Sequence, residues 1–255
     1  MSTRIRHPYL DHPGPIAFAH RGGAADGLEN TTPQFRRAVE AGYRYLETDV
    51  HATADGRLVA FHDATLDRMT DGAGRIADLP WKDVRHARVA GREPVPLFEE
   101  LLEAFPEVRW NVDVKAEPAL VPFLELIERT GSWDRICLGS FAEARVVRAQ
   151  RLAGPRLATS YGTRGVLNLR LRSWGLPAVV RRSAVAAQVP QAQSGIQVVD
   201  HRFLRTAHAL GLQVHVWTVN EPEHMHRLLD LGVDGIMTDH IDTLRKVMED
   251  RGDWV

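Results

Sequence analysis

Short apolar runs, most of them closed by a polar or charged residue, alternate with longer helix-patterned segments along the chain, and this alternation constrains the fold most. The runs cover residues 16–20, 45–50, 58–62, 110–115, 136–141, 157–161, 185–189, 214–219 and 235–238. Helical patterns are clearest over 33–40, 97–104, 119–128, 203–210, 223–231 and 241–249, and Gly42, Gly211 and Gly232 follow such runs as C-terminal caps would. Strand–helix alternation of this kind predicts a parallel sheet with helices outside it. At 255 residues with 44% hydrophobic composition, the chain suits one α/β TIM-type (β/α)8 barrel spanning residues 1–255.

One run does not fit a simple barrel, which needs eight strands where nine runs are present. Residues 58–62 follow their predecessor after only a short Ala54-Asp55-Gly56 turn. Parallel neighbours need a long crossover, so this run reads as a hairpin that rises above the barrel and returns His62 to its mouth. Residues 64–96 then show little periodicity, and a capping or functional insertion is expected at about 52–96, after the second strand.

The formal net charge of −1 gives no field that would draw the molecule to nucleic acid. The single cysteine, Cys137, lies in an apolar run and reads as a buried small hydrophobe. The first residues have no run long enough for a signal peptide, and no stretch reaches the length of a membrane span, so the expected compartment is the cytoplasm. Oligomeric state is not legible. Residues 144–199 contain nine arginines and no acidic residue. These are either solvated helix faces or, over about 145–182 with Trp174, a peripheral contact for anionic lipid. Gly175 and Pro177 break the helical phase there and argue against a clean amphipathic anchor.

A barrel enzyme carries its site at the C-terminal ends of its strands, so unusual polar residues should close the runs. They do: His20-Arg21-Gly22-Gly23, Glu47 with Asp49, His62-Asp63, Asn111 with Asp113 and Lys115, Ser140-Phe141, Trp217 to Asn220, and Thr238-Asp239. Residues two apart on a strand share a face, so Glu47 and Asp49 point together, as do Asn111, Asp113 and Lys115. Clustered buried carboxylates need a compensating cation, and oxygen donors suit Mg²⁺ or Ca²⁺ better than zinc. A salt-bridge network with Arg21 and Lys115 is the competing reading. Of the 12 histidines, His7, His12, His208, His224 and His226 lie in the N-terminal tail or helical runs and read as surface residues. His20 and His62 each end an apolar run, and an imidazole suits proton transfer to and from alcohol oxygens. Arg21 adds a fork for a phosphate oxygen pair, a combination suited to phosphate ester chemistry.

The stretch from Ala19 to Ile76 resembles the N-terminal signature of the glycerophosphodiester phosphodiesterase family: His20-Arg21-Gly22, Glu29-Asn30-Thr31, Glu47-x-Asp49, His62-Asp63, and Leu66-x-Arg68-x-Thr70. The resemblance continues in Trp110 to Lys115, in Gly139-Ser140-Phe141, and over 214–242, and is weakest over 162–200. It implies a metal-dependent phosphodiesterase that hydrolyses glycerophosphodiesters to sn-glycerol 3-phosphate and an alcohol. It further implies His20 and His62 as the acid–base pair, Glu47, Asp49 and Asp113 as ligands of a divalent cation, and Arg21 and Lys115 as phosphate contacts. Phe141 and Trp217 would meet the alcohol portion, with Glu29 and Asn30 in support. Asp113 departs from the family pattern, which has glutamate there, and its reach is one methylene shorter. Lysophospholipase D-like cleavage on the same barrel, a non-catalytic phosphate-binding relative, and a barrel hydrolase of another reaction class are the alternatives.

Overall fold

The computed structural model describes residues 7–181 and 183–255. The first six residues, part of the stretch read for a signal peptide, and Arg182, within the arginine-rich region, lie outside the described residues.

Eight parallel strands form a nearly closed barrel. They are β1 (Ile16–Ala19), β2 (Tyr45–Ala52), then, after the antiparallel β3 (Leu58–Ala60), β4 (Arg109–Val114), β5 (Ile136–Gly139), β6 (Ala158–Thr159), β7 (Ala186–Pro190), β8 (Gln213–Trp217) and β9 (Gly235–Thr238). The order around the sheet is β6-β5-β4-β2-β1-β9-β8-β7, and β3 lies off this path, paired with β2 and bridged by Val59 to Leu97. The seam between β6 and β7 is closed by one isolated bridge, Ser160 to Ala186, with flanking bonds from Tyr161 N–H to the Ala186 carbonyl and from Val185 N–H to that of Thr159. Helices α1 (Thr32–Glu40), α2 (Phe98–Ala104), α3 (Leu120–Thr130), α4 (Glu143–Ala153), α5 (Thr163–Ser173), α6 (His201–Ala209), α7 (Pro222–Leu231) and α8 (Ile241–Arg251) surround the barrel.

The alternation of side chains along each strand builds two different spaces. Leu46, Val50, Val112 and Val114 point outward and join the main core between sheet and helices, where Trp110 meets Phe35, Phe98 and Phe105. Full burial of such a side chain stabilises the fold by roughly 1.5–3 kcal/mol. A separate cluster of Tyr9, Ile16, Phe18, Tyr45, Cys137, Ala158 and Met237 is capped by Tyr9 from a short 3-10 turn. Cys137 is fully buried there, as its apolar run predicts. Further along β2 the side chains turn polar: Glu47 registers with Asn111 and Asp49 with Asp113. One end of the barrel is therefore apolar and the other carries charge.

The hairpin expected at 58–62 is present: β3 runs antiparallel to β2, and Phe61 N–H donates to the Asp49 carbonyl (2.9 Å), setting His62 beside the strand end. The chain beyond it builds a small core of its own from Phe61, Leu66, Ile76, Val84, Val89 and Val95, closed by Val59 and Leu97. Helices α4 and α5 are the two that the clearest sequence periodicity leaves out: α4 buries only Val146, Ala149 and Ala153, and α5 buries Arg170 among its inward residues. Helix α5 stops at Trp174, immediately before Gly175 at φ 80°. Gly42, Gly211 and Gly232 adopt positive φ after their helices, as expected of caps. His7 is not on the surface: it is buried, and its Nε2 meets the Arg156 carbonyl at 3.0 Å. Among the described residues no helix is long and apolar enough to cross a membrane.

Candidate active site

The charged end of the barrel opens into a cavity of about 420 Å³. His20, Arg21, Glu47, Asp49, His62, Asp113, Lys115, Phe141 and Trp217 all line it, so residues scattered from position 20 to position 217 meet at one place. Glu29 and Asn30 do not line the cavity; they stand behind it and hold residues that do.

His20 leaves β1 on a tight turn. Arg21 follows at φ 52°, a left-handed conformation that costs a non-glycine residue free energy and tends to occur at functional sites. The turn aims the Arg21 N–H at Glu47 Oε2 (3.0 Å). Gly23, at φ 95°, completes it; a side chain there would lie 2.7 Å from Ile241 Cγ2, so only glycine lets α8 approach. Asn30, at φ 58°, donates from Nδ2 to Asp49 Oδ2 (3.1 Å) and accepts from Thr48 Oγ1 (2.7 Å). Its part is to aim Asp49.

The two imidazoles are held alike. His20 Nδ1 lies 2.7 Å from Asp239 Oδ1, and His62 Nδ1 lies 2.6 Å from Asp63 Oδ1. An ionised carboxylate can only accept, so each Nδ1 carries the proton and each Nε2 is the nitrogen left for chemistry. His20 Nε2 stands 3.7 Å from Glu47. Each aspartate is itself anchored. Asn220 donates to Asp239 Oδ2 (3.0 Å) and accepts the Asp239 N–H (3.0 Å), and Arg68 donates from Nη2 to Asp63 Oδ1 (2.9 Å). Arg68 also bonds Glu29 (3.0 Å), which bonds Arg21 (3.0 Å). One chain of charges thus joins the turn after β1 to the insertion. Asp239, Asn220, Asp63 and Arg68 are the supports to which residue-type reasoning assigned no role. The first three close predicted strands, and Asp63 and Arg68 also stand in the signature motifs.

Burial and neighbouring charge set the protonation states. Burial raises Glu47, with the charge of Asp49 adding to it, to about 7. Burial also works to raise Asp49, but Lys115, Arg21 and His62 overcome it and hold that carboxyl below its ordinary value. Asp113 is raised, by burial and then by Asp49 against the pull of Lys115. His20 is raised because Glu47 and Asp239 outweigh its burial.

The competing salt-bridge reading has a physical basis in this geometry. Lys115 Nζ sits between Asp49 (2.7 Å) and Asp113 (2.8 Å). Arg21 Nε lies 3.2 Å from Asp49 Oδ2, although without a hydrogen-bonding angle. Among the described residues, no three His, Cys, Asp or Glu side chains are grouped as metal ligands. The donor chemistry nonetheless suits a hard cation. The donors are all carboxylate oxygens, and Asp113 Oδ1 is buried with no hydrogen-bond partner. An added cation would compete with Lys115 for Asp49 and Asp113.

Trp217 meets Phe141 edge-on at 5.7 Å, and Phe141 is 60% exposed at the cavity mouth, with Lys115 Nζ 5.9 Å from its ring centre. With Tyr161, Val166, Pro190 and Val198 they give the cavity one apolar side.

The model of the glycerophosphoryl diester phosphodiesterase family matches residues 20–243. The chain is 42% identical over 251 residues to "Probable glycerophosphodiester phosphodiesterase 2" of Mycobacterium tuberculosis, covering 96% of this chain and 95% of that protein. It is 26% identical to a lysophospholipase D of Rattus norvegicus, over 91% of this chain and 85% of that one. Among solved structures, one from Silicibacter pomeroyi DSS-3 superposes with a TM-score of 0.82 at 25% identity, covering 98% of this chain and all of that one (100%). A phosphodiesterase of Oleispira antarctica, in complex with the product sn-glycerol-3-phosphate, shares the fold with a TM-score of 0.78 at 22% identity, over 92% and 97% of the two chains.

Proposed function

The chain belongs to the glycerophosphoryl diester phosphodiesterase family, and on that premise we propose that it hydrolyses glycerophosphodiesters to sn-glycerol 3-phosphate and an alcohol, with His20 and His62 as its proton-transfer pair. The observation that carries this reading is the matched mounting of the two imidazoles. Both line one cavity, and both have Nδ1 committed to an aspartate, which leaves two Nε2 atoms for proton transfer.

In the proposed step, one Nε2 takes the proton of the attacking hydroxyl, from water or the adjacent glycerol hydroxyl, as its oxygen bonds to phosphorus. The other Nε2–H gives its proton to the departing alkoxide as the P–O bond breaks. Attack by water gives sn-glycerol 3-phosphate directly and leaves the two imidazoles with exchanged protonation states, which solvent resets. Attack by the glycerol hydroxyl gives a cyclic phosphate, which water then opens as the imidazoles exchange roles and return to their starting states. Such catalysis contributes roughly 10²–10⁴-fold. Glu47, Asp49 and Asp113 would hold a divalent cation, Mg²⁺ or Ca²⁺. A bound cation supplies Lewis-acid stabilisation of charge on the phosphoryl oxygens. Arg21 and Lys115, standing among those carboxylates, would place their remaining donors on the phosphate. Trp217 and Phe141 would pack against the alcohol.

His20→Ala and His62→Ala should each lower turnover of glycerophosphocholine by about a hundredfold or more, with unchanged circular dichroism. Undiminished turnover in both folded variants would end the assignment. The apolar side of the cavity favours a second reading, cleavage of a lyso-glycerophospholipid to lysophosphatidic acid and a free head group. The relative rates on glycerophosphocholine and lysophosphatidylcholine decide between them.

A further inference from the structure

The catalytic reading leaves unused the face formed by α5 and the loop after it. Helix α5 turns Leu167 outward, Trp174 follows at its end, and the loop presents Leu176 and Val179, all exposed and Val179 80% so. These residues form one surface. Asn168 Nδ2 donates to the Val179 carbonyl (3.0 Å), and Leu176 N–H donates to that of Leu171 (3.1 Å). Only the first turn of α5 reaches the cavity mouth, where Thr163 bonds the Phe141 carbonyl through both its N–H (3.2 Å) and its Oγ1 (3.0 Å). Trp174 follows the far end of this 11-residue helix, about 16 Å away. Exposed apolar residues scattered singly are ordinary, whereas contiguous ones mark an interaction site.

The segment that builds this face is basic, and the carboxylates packed against it, Asp200 and Glu143, are bound by Arg170 and the Gly165 N–H. Residues 144–199 include no Asp or Glu. Arg170 is committed: it pairs with Asp200 (2.7 Å) and lies 4.5 Å over the Trp174 ring, fixing that indole at the surface. Arg164, Arg172 and Arg181 are exposed, and none of them forms a salt bridge among the described residues. A two-fold contact between copies would set this patch against itself, with like charges opposed. An apolar centre with a cationic border instead matches the boundary of a negatively charged bilayer, where indole rings settle and each arginine adds attraction.

We propose that this face docks the barrel on an anionic lipid surface, with Leu167, Trp174, Leu176 and Val179 in the interface and the three arginines at phosphate level.

The test is sedimentation of the full chain with phosphatidylcholine vesicles, with and without phosphatidylglycerol. Wild type should sediment with the anionic vesicles only, and salt should release it. Arg164→Glu with Arg172→Glu, and separately Leu167→Asp with Val179→Asp, should weaken that binding by about tenfold or more. Both variants should keep wild-type turnover of soluble glycerophosphocholine, so a failure of docking is distinguishable from a failure of the catalytic reading. No retention on anionic vesicles, or equal retention of both folded variants, overturns the proposal. So does a wild-type dimer in sedimentation velocity that the charge-reversal variant abolishes, since that result assigns the face to a second copy.

Discussion

Acid should weaken this barrel from within, at His215. The imidazole is fully buried inside the barrel, with the Phe18 ring 4.9 Å away. Its Nε2 lies 2.9 Å from Gln213 Oε1, which can only accept, so the proton is on Nε2. Its Nδ1 faces Gln188 Nε2 at 3.4 Å, and that amide also donates to Asn111 Oδ1 (2.7 Å). The neutral ring satisfies every partner, whereas a second proton on Nδ1 would confront an amide donor in a dry interior. Burial accordingly lowers His215 to about 4, from an ordinary 6.5. Above the ordinary value neither the folded nor the unfolded chain binds this proton, and the stability is fully present. Between the two values only the unfolded chain binds it, and the fold loses about 1.4 kcal/mol per pH unit, roughly 3 kcal/mol in all. Urea unfolding of wild type and His215→Leu from about pH 7 to about pH 4 measures this. The variant should start about 1–3 kcal/mol less stable, because it strands the amides. It should then decline less steeply, so that the gap contracts by roughly 3 kcal/mol. Histidines other than His215 are common to both proteins and cancel. A gap that stayed constant across that range would refute the reasoning.

Two further outcomes are expected. Asp239→Asn leaves His20 Nδ1 without its carboxylate, so kcat on glycerophosphocholine should fall about tenfold or more with KM and melting temperature nearly unchanged; a pure loss of stability would assign Asp239 to the fold alone. Mg²⁺ or Ca²⁺ at about a hundred times its Kd should stabilise the wild type by about 2.7 kcal/mol and Asp113→Ala far less, read by calorimetry; an unchanged melting temperature, together with full activity after exhaustive chelation, would leave the carboxylates to their salt bridges.

Much of the site was legible because a charged residue ending an apolar run needs a reason to be there. Glu47, Asp49, Asp113 and the two histidines announce themselves in this way, and their alternation along β2 and β4 places them on one face. The nine-run puzzle also resolved on local grounds, since no crossover fits between β2 and β3. What could not be read is partnership across long separations. Asp239 lies 219 residues from His20, and nothing near either one specifies the bond. Lys115 alternates correctly to face the cavity, yet its place between Asp49 and Asp113 depends on strand register, which pairs Asp49 with Asp113. Helices α4 and α5 escaped the clearest periodicity because α4 buries only Val146, Ala149 and Ala153, and α5 buries Arg170 while exposing Leu167. Buried His7 escaped because its anchor, the Arg156 carbonyl, is distant in the chain.

The ring of strands has a front and a back. Going round from the join between β6 and β7, the point farthest away is the β1–β2 pair, which carries His20, Glu47 and Asp49. The join is held by a single bridge and follows directly into α5 and its loop. Motion or sequence change there is cheap, since few ladder bonds must break. The proposed reaction centre sits on the opposite wall of the cavity, which Ser160 and Tyr161 of the join also line. Such a layout lets one side of the molecule adapt to whatever presents the substrate while the chemistry opposite keeps its geometry.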